Sequence, residues 1–494
     1  MGVSNLLQFL RPMQKRVAIK NYQGSVVAVD AMCWIHRGMI SSAVSNVTGE
    51  SNDNYLKFII SILSVLLEHN ITPIMVFDGY EMPPKERENQ DRRVRREKAR
   101  EEALAMIQKN RGSINTEIMR KCMQAISITP EVVARVMGIC REMNVRVLMA
   151  PYEADAQVAY LCRSGIAHCA ISEDSDLLAY GCPRVWYKLE RDGKADEMSL
   201  GFSSDPDVKC TKGMLKGLSH RMFVTMCVLS GSDYDDGCHI NGMGIKLAHR
   251  FVLQFGTLPA VMAALEENAC WAKKLPAHVS VKELESHYLN VSQIFLHNVV
   301  YDPSTDHLTH VTPLGGDETH MDIIVDICQR LRGKAVNFRV VSEGRINPRT
   351  GEPLVYAVTD KDREMLEGIR FPDIASLPVY ASDAGTTTDA LLQGPFPPSP
   401  QVHRAGSQGD SLDDAALQCS AAMPTIAVPS STSACTDQTI DPLQSDESHS
   451  SISTSDEWED ATKSQKCKLR ALIDSSERVV SARTKRTRAS YSTT

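Results

Sequence analysis

The chain has 494 residues, 43% hydrophobic and 23% charged, which is material for roughly two or three domains and a sizeable core. Its formal net charge of −7 would argue against a polyanionic partner, but residues 377–462 hold thirteen acids against one base and residues 463–494 nine bases against two acids, so the sum says little about the rest. The fourteen cysteines form no CxxC pair, which points to reduced thiols rather than a zinc or redox motif; with no apolar run near the roughly 20 residues of a membrane span and Leu6 where a myristoylation signal needs Ser or Thr, the expectation is a soluble protein without membrane contact.

Up to about residue 375, apolar runs alternate with helix-period segments, which predicts an α/β fold with a mostly parallel central sheet flanked by helices. In chain order the predicted elements are the strand SVVAVD (25–30), the helix NYLKFIISILSVLLEHN (54–70) and the strand ITPIMVFD (71–78). A charged, helix-compatible run follows from 79 to 110, then the helix TPEVVARVMGICREM (129–143) and the strand VRVLMA (145–150). Next come the helix EADAQVAYLCRSG (153–165), closed by Gly165 as a C-cap, and the strands AHCAIS (167–172) and RVWYKL (184–189). The segment GMGIKLAHRFVLQFG (242–256) reads as a glycine turn opening an amphipathic helix. From about 376 the composition turns to Ser, Thr, Pro, Gly and acids, too little apolar surface to offset ordering entropy, so 376–494 is expected to be a disordered linker with a basic tail.

Acids recur where ligands bind in such a sheet. Asp30, Asp78, Asp174 and Asp176 follow the ends of predicted strands, Glu153 and Asp155 open a helix just after another, and Asp233 follows the apolar segment MFVTMCVLSG. Any one of them reads equally well as a helix cap or solvated turn; together they line the carboxyl edge, where an open parallel sheet takes its ligands. Crowded carboxylates repel unless cations neutralise them, and oxygen donors without His or Cys point to Mg²⁺ or Mn²⁺ rather than zinc. Such a cluster holding two ions roughly 4 Å apart suits phosphodiester hydrolysis. Directly after Asp78 the run containing Lys85, Arg87, Arg92, Arg93, Arg95, Arg96, Lys98 and Arg100 is either a solvated helix face or a surface that guides phosphates to the ions. The GMG turn is either a tight structural turn or a helix start whose amides grip a phosphate.

As an ordered set, MGVSNLLQFL, VVAVDAMCWIHRG, PIMVFDG, PYEADAQVAYL, SEDSDLLAYG, LSGSDY and GMGIKLA resemble the structure-specific 5′ nucleases, the family of flap endonuclease and exonuclease 1, and most closely its exonuclease 1 branch. The resemblance spans about residues 1–310. It implies a PIN-like nuclease fold that removes nucleotides from the 5′ end of double-stranded DNA, or cuts 5′ flaps and nicks, with two Mg²⁺ ions that Mn²⁺ can replace. It places Asp30, Asp78, Glu153 and Asp155 in a first metal group and Asp174, Asp176 and Asp233 in a second, with Glu173 outside the ligand set. Lys85 and Arg92 match catalytic cations of a helical arch, with Arg93, Arg95 and Arg96 beside them. His36 matches a 5′-end wedge; Gly242, Met243 and Gly244, with Lys246, match a helix-two-turn-helix at about 230–260 that holds duplex and often a K⁺ ion. The implied organisation is a nuclease region with arch at 1–100, an internal nuclease region at 101–310, a C-terminal extension at 311–375 and the tail. The implied setting is nuclear DNA repair and recombination, including mismatch repair and end resection, as a monomer whose tail meets repair proteins. A strict flap endonuclease and a non-catalytic DNA-binding scaffold are the alternatives. The sequence departs from the family's pattern at Met32, where an aromatic is usual, and in the longer, more acidic loop SDYDDGCHING; it carries no glutamine-and-aromatic box for a sliding clamp.

Overall fold

Short Val, Ile and Ala-rich runs that read as apolar without alternation belong in a sheet covered on both faces. In the computed structural model, which describes residues 2–371 apart from 51, 212, 315–320, 334–337, 357 and 370, they form β2 (Val26–Asp30), β3 (Thr72–Phe77), β4 (Arg146–Met149), β5 (Cys169–Ile171) and β6 (Arg184–Tyr187). These five are parallel, in the order β4-β3-β2-β5-β6. Two strands that the sequence reading did not anticipate extend the β6 edge antiparallel: β7 (Lys194–Ser199) against β6, and β1 (Lys15–Ala18) beyond it. Their alternating, charged sequences KADEMS and KRVA suit a half-solvated edge. A separate hairpin pairs β8 (Val299–Asp302) with β9 (His307–His310).

The predicted helices appear as Asn54–Glu68, Pro130–Glu142, Ala154–Arg163 and Ile245–Phe255, joined by Ala31–Met39 directly after β2. Asn54–Glu68 shows why they pack: Leu56, Ile59, Ile60, Leu63 and Leu66 are all buried, one stripe at helical spacing turned to the sheet. Gly165 takes the left-handed conformation, φ +80°, that ends the helix before it. The charged run becomes a helix of 24 residues, Glu86–Lys109, that buries only Ala99 and Ala103; it leans on the short helix Thr116–Gln124 instead of on the sheet.

Register places the site. Val29 pairs with Met75 on one side and Ile171 on the other, so β2, β3 and β5 end at nearly the same level and their following residues share one edge. The sheet runs across position 100, with β4 to β7 beside β1 to β3. Among the described residues no helix is long and apolar enough to cross a membrane. The segment 376–494, with the acidic stretch and basic tail, lies outside the described residues.

Candidate active site

Asp30 closes β2. Its carboxylate is buried, accepts the amide of Cys33 at 3.1 Å to cap the helix Ala31–Met39, and takes the Ser172 hydroxyl at 2.8 Å. Asp78, one residue past β3, accepts the amide of Ala154 at 2.8 Å and so fixes the start of the helix that carries Glu153 at its N-cap and Asp155 in its first turn. After β5 the chain turns through Asp174 and Asp176, both buried; the Asp176 amide donates to Asp174 at 3.1 Å and the Val3 amide to Asp176 at 2.9 Å. Asp233 follows the helix His220–Ser230. Capping therefore accounts for one oxygen of Asp30 and one of Asp78, but not for the gathering.

The electrostatics show how close the acids are. Asp155 is pushed well above the usual carboxylate range by burial and by Asp174, Asp30, Asp176 and Glu153, which joins the two predicted groups into one field. Asp176 is raised in the same way by burial and Asp174, Asp174 is raised chiefly by burial, and Asp78 is pushed up to about 7 by burial, with Glu153 and Asp30 adding to it. The Asp155 Oδ1 atom is buried without a hydrogen-bond partner. A donor set made only of carboxylate oxygens with one orphaned acceptor fits a hard divalent cation.

Two cations stand within this field. The Lys85 ammonium, 5% exposed, lies 2.8 Å from Glu153, 3.7 Å from Asp233 and 3.8 Å from Asp176, and 4.5 Å above the Tyr234 ring. Burial alone would lower its pKa; the three carboxylates outweigh that and hold it well above the ordinary lysine value. Arg92 pairs with Asp233 at 2.7 Å and with Glu88 at 2.7 Å. Burial would raise the Asp233 carboxyl, but Lys85 and Arg92 hold it below its ordinary value, unlike Asp78, Asp155, Asp174 and Asp176. Among the described residues no three of the acids are closed around one point as a finished ligand set; Lys85 occupies the space between Glu153, Asp176 and Asp233.

A pH dependence follows. A carboxyl whose pKa rises from 3.8 unfolded to about 7 folded, as Asp78 does, favours the folded state at low pH and loses that contribution as pH rises through about 7. Asp155, Asp174 and Asp176 act in the same direction. In chelator the melting temperature is expected to fall as pH rises from about 4 to about 7, and Mg²⁺ to remove the fall; differential scanning fluorimetry reads both, and a melting temperature that climbs through this window in chelator contradicts the reading.

The remaining predicted residues divide. His36 lies with Arg92, Arg95 and Arg96 on one cavity of about 700 Å³ between the helices Glu86–Lys109 and Thr116–Gln124, its imidazole held below the ordinary value by burial and Arg96. Arg93 pairs with Glu81, and Arg95 with Glu88 at 2.9 Å. Gly242, at φ +80°, and Gly244 are exposed, with nothing within 4 Å of where a side chain would begin, and Gly244 opens the helix Ile245–Phe255 without a capping side chain. Lys246 is exposed on its first turn. Met243 has its side chain 1% exposed, packed inward as the apolar residue of the turn, so only its backbone faces outward. The acids of the long loop are occupied internally, Asp235 by the Ser232 amide at 2.9 Å and Asp236 by Arg87 at 2.9 Å. Glu173 points away, to Arg37 at 3.2 Å.

One participant escaped the sequence reading. Gly2 sits directly on the acids at φ +76°; a side chain there would come within 2.2 Å of Asp174 Oδ1 and 2.3 Å of Asp176 Oδ1. The signal was the glycine itself, at a place where the chain must pass closer than any Cβ allows. Tyr180 and Tyr234 are a second omission: their hydroxyls meet at 3.0 Å, and Tyr234 donates to Glu153 at 2.8 Å.

Two family models match the chain, the XPG N-terminal domain over residues 1–99 and the XPG I-region over residues 144–233. Lys85, Arg92 and all seven acids fall inside these two stretches. The chain belongs to the structure-specific 5′ nuclease family. Within this family it is similar to Exonuclease 1 of Danio rerio, 32% identical over 61% of this chain and 36% of that one, and to Exonuclease 1 of Drosophila melanogaster, 30% identical over 65% and 42%. It is also similar to the DNA damage-inducible protein DIN7 of Saccharomyces cerevisiae, 31% identical over 59% of this chain and 66% of that one. The chain thus spans about two fifths of the length of the two Exonuclease 1 relatives. The catalytic core of Rad2 in complex with DNA substrate aligns over 67% of this chain and 96% of that one at 19% identity, with a TM-score of 0.42. Met32 lines a small cavity beside Asp78.

Proposed function

We propose that the chain is a Mg²⁺-dependent 5′ to 3′ exonuclease on double-stranded DNA with 5′-flap endonuclease activity, serving DNA repair and recombination. The observation that carries this is the convergence of seven acids from five places in the sequence on one sheet edge, with Lys85 and Arg92 among them. Asp30, Asp78, Glu153 and Asp155 with Asp174, Asp176 and Asp233 would hold two ions. When bound, such ions supply polarisation of the attacking water and charge stabilisation at the leaving oxygen. The chain's own residues do the rest. Lys85 and Arg92 offer positive charge where the scissile phosphate develops negative charge, and the Lys85 ammonium is kept charged by its carboxylates. Arg93, Arg95, Arg96 and His36 line the approach of the strand, and the open amides and Lys246 at Gly244 suit the backbone of uncut duplex, with a K⁺ ion belonging to the same turn. All seven acids and both cations come from one chain, which favours a monomer. Nuclear localisation and contacts with repair proteins would rest with the tail.

The test is Mg²⁺-dependent digestion of two 3′-labelled DNAs, a duplex with a recessed 5′ end and a matched 5′-flap duplex. Stepwise shortening of the first together with cleavage at the flap base is expected. Cleavage of the flap alone would make the protein a strict flap endonuclease, and inertness toward both would favour a DNA-binding scaffold. Removing residues 376–494 is expected to leave turnover on naked DNA within about twofold, because every acid and cation above lies outside the removed part; a dead truncation contradicts this placement of the chemistry.

A further inference from the structure

The end of the described chain brings a cation to the rim of the site from outside both family-matched stretches. Residues 345–354 form a tight hairpin: the Leu354 amide donates to Arg345 at 2.9 Å, the Asn347 amide to Glu352 at 2.8 Å, and Ile346 bridges Pro353. The hairpin's flanks are clamped onto the helix Pro130–Glu142. The Arg141 guanidinium lies 4.3 Å over the Tyr356 ring and donates to the Glu343 carbonyl at 2.5 Å, and a side chain at Gly138 would come within 2.6 Å of Val358. A tip held at both flanks can place a side chain.

That tip carries Arg349. On one side it lines, with Asp78 and Met32, a cavity of about 70 Å³; on the other, with Tyr80, Glu86 and Arg330, a cavity of about 580 Å³. Its ion pair is with Glu81, at 3.5 Å with both side chains about half exposed, and Glu81 also holds Arg93 at the arch base. An exposed pair of that length contributes little, whereas a phosphate offers the guanidinium a charge-assisted, two-pronged partner.

We infer that Arg349 grips a phosphate of the cleaved strand next to Asp78, replacing its contact with Glu81, as a third cationic contact beside Lys85 and Arg92. The inference rests on the nuclease reading above. It is tested with Arg349→Ala, Arg349→Lys and Glu81→Gln in the full chain, by cleavage kinetics in Mg²⁺ and by fluorescence anisotropy on the recessed-end duplex in Ca²⁺. Loss of one charged contact should raise KM and the DNA Kd of Arg349→Ala about tenfold, with kcat within about twofold. The log Kd against log salt slope should become shallower by about one. Arg349→Lys should recover most of the affinity and Glu81→Gln should not weaken binding. Unchanged KM and Kd in Arg349→Ala overturn the inference, and so does a Glu81→Gln that copies Arg349→Ala, since the effect would then run through Arg93. If wild type cleaves nothing, the nuclease reading fails, and the anisotropy still decides for or against the Arg349 contact.

Discussion

Asp174→Ala is expected to lower DNA cleavage at least a thousandfold, about 4 kcal/mol of transition-state stabilisation, while the Kd for duplex DNA moves less than about threefold. The asymmetry follows from where the side chain is. Asp174 is buried at the turn after β5, adjoins Asp176 and Asp155, and sits under Gly2. Its loss removes a proposed ligand and a charge from the chemistry but none of the surfaces proposed to hold DNA. The alanine also strips an acceptor from the Asp176 amide, which costs about 1–3 kcal/mol in a buried place, so Asp174→Asn belongs beside it. Asparagine keeps an acceptor there and should be equally inactive with a smaller loss in melting temperature. Single-turnover kinetics and anisotropy read the two quantities separately; turnover near wild type in either variant removes Asp174 from the metal site.

Lys85→Met should lower kcat about a hundredfold, the usual cost of removing one preorganised charge from a site. It carries a second, opposite-looking signature. The ammonium is what compensates Glu153, Asp176 and Asp233, and taking away one partner of a buried ion pair strands the others. In chelator the variant should therefore melt clearly below wild type, and saturating Mg²⁺ should restore most of the melting temperature without restoring kcat. Lys85→Arg is a poor substitute, because the slot is 5% exposed and a planar fork does not fit a space shaped for a compact charge. A Lys85→Met enzyme with near-normal kcat would mean that Lys85 only balances charge.

The parallel strands could be read from the chain because they are buried on both faces and so appear as unbroken apolar runs: VVAVD, TPIMVF, RVLM, CAI and RVWY. Six of the acids could be placed because they follow such a run, and parallel register sends those ends to one edge; Asp233 instead follows the buried helix His220–Ser230. What local pattern could not supply is long-range. β1 pairs with β7 about 180 residues away, and neither has a core stripe of its own. Met243 looked like part of a grip because it stands between two glycines; whether its side chain faces in or out depends on the hydrophobic packing behind the turn. The positions of Gly2 and Tyr234 against the acids, and of Arg349 across a small cavity from Asp78, likewise come from segments whose sequences show no period. Lys85 is the most instructive case. In sequence it begins a run of solvated charges, yet it is buried among carboxylates, because the helix Glu86–Lys109 begins just after it and leaves it at the base, against the sheet edge.

Two divalent ions are expected to bind at this edge. The most direct measurement is anomalous diffraction from crystals of the Asp174-intact protein grown with Mn²⁺ and a cleaved duplex. Two peaks roughly 4 Å apart are expected, one among Asp30, Asp78, Glu153 and Asp155 and one among Asp174, Asp176 and Asp233, with Lys85 displaced from between them. No peak at this edge at saturating Mn²⁺, or one ion bound elsewhere while the acids keep their pairs with Lys85, would contradict this expectation.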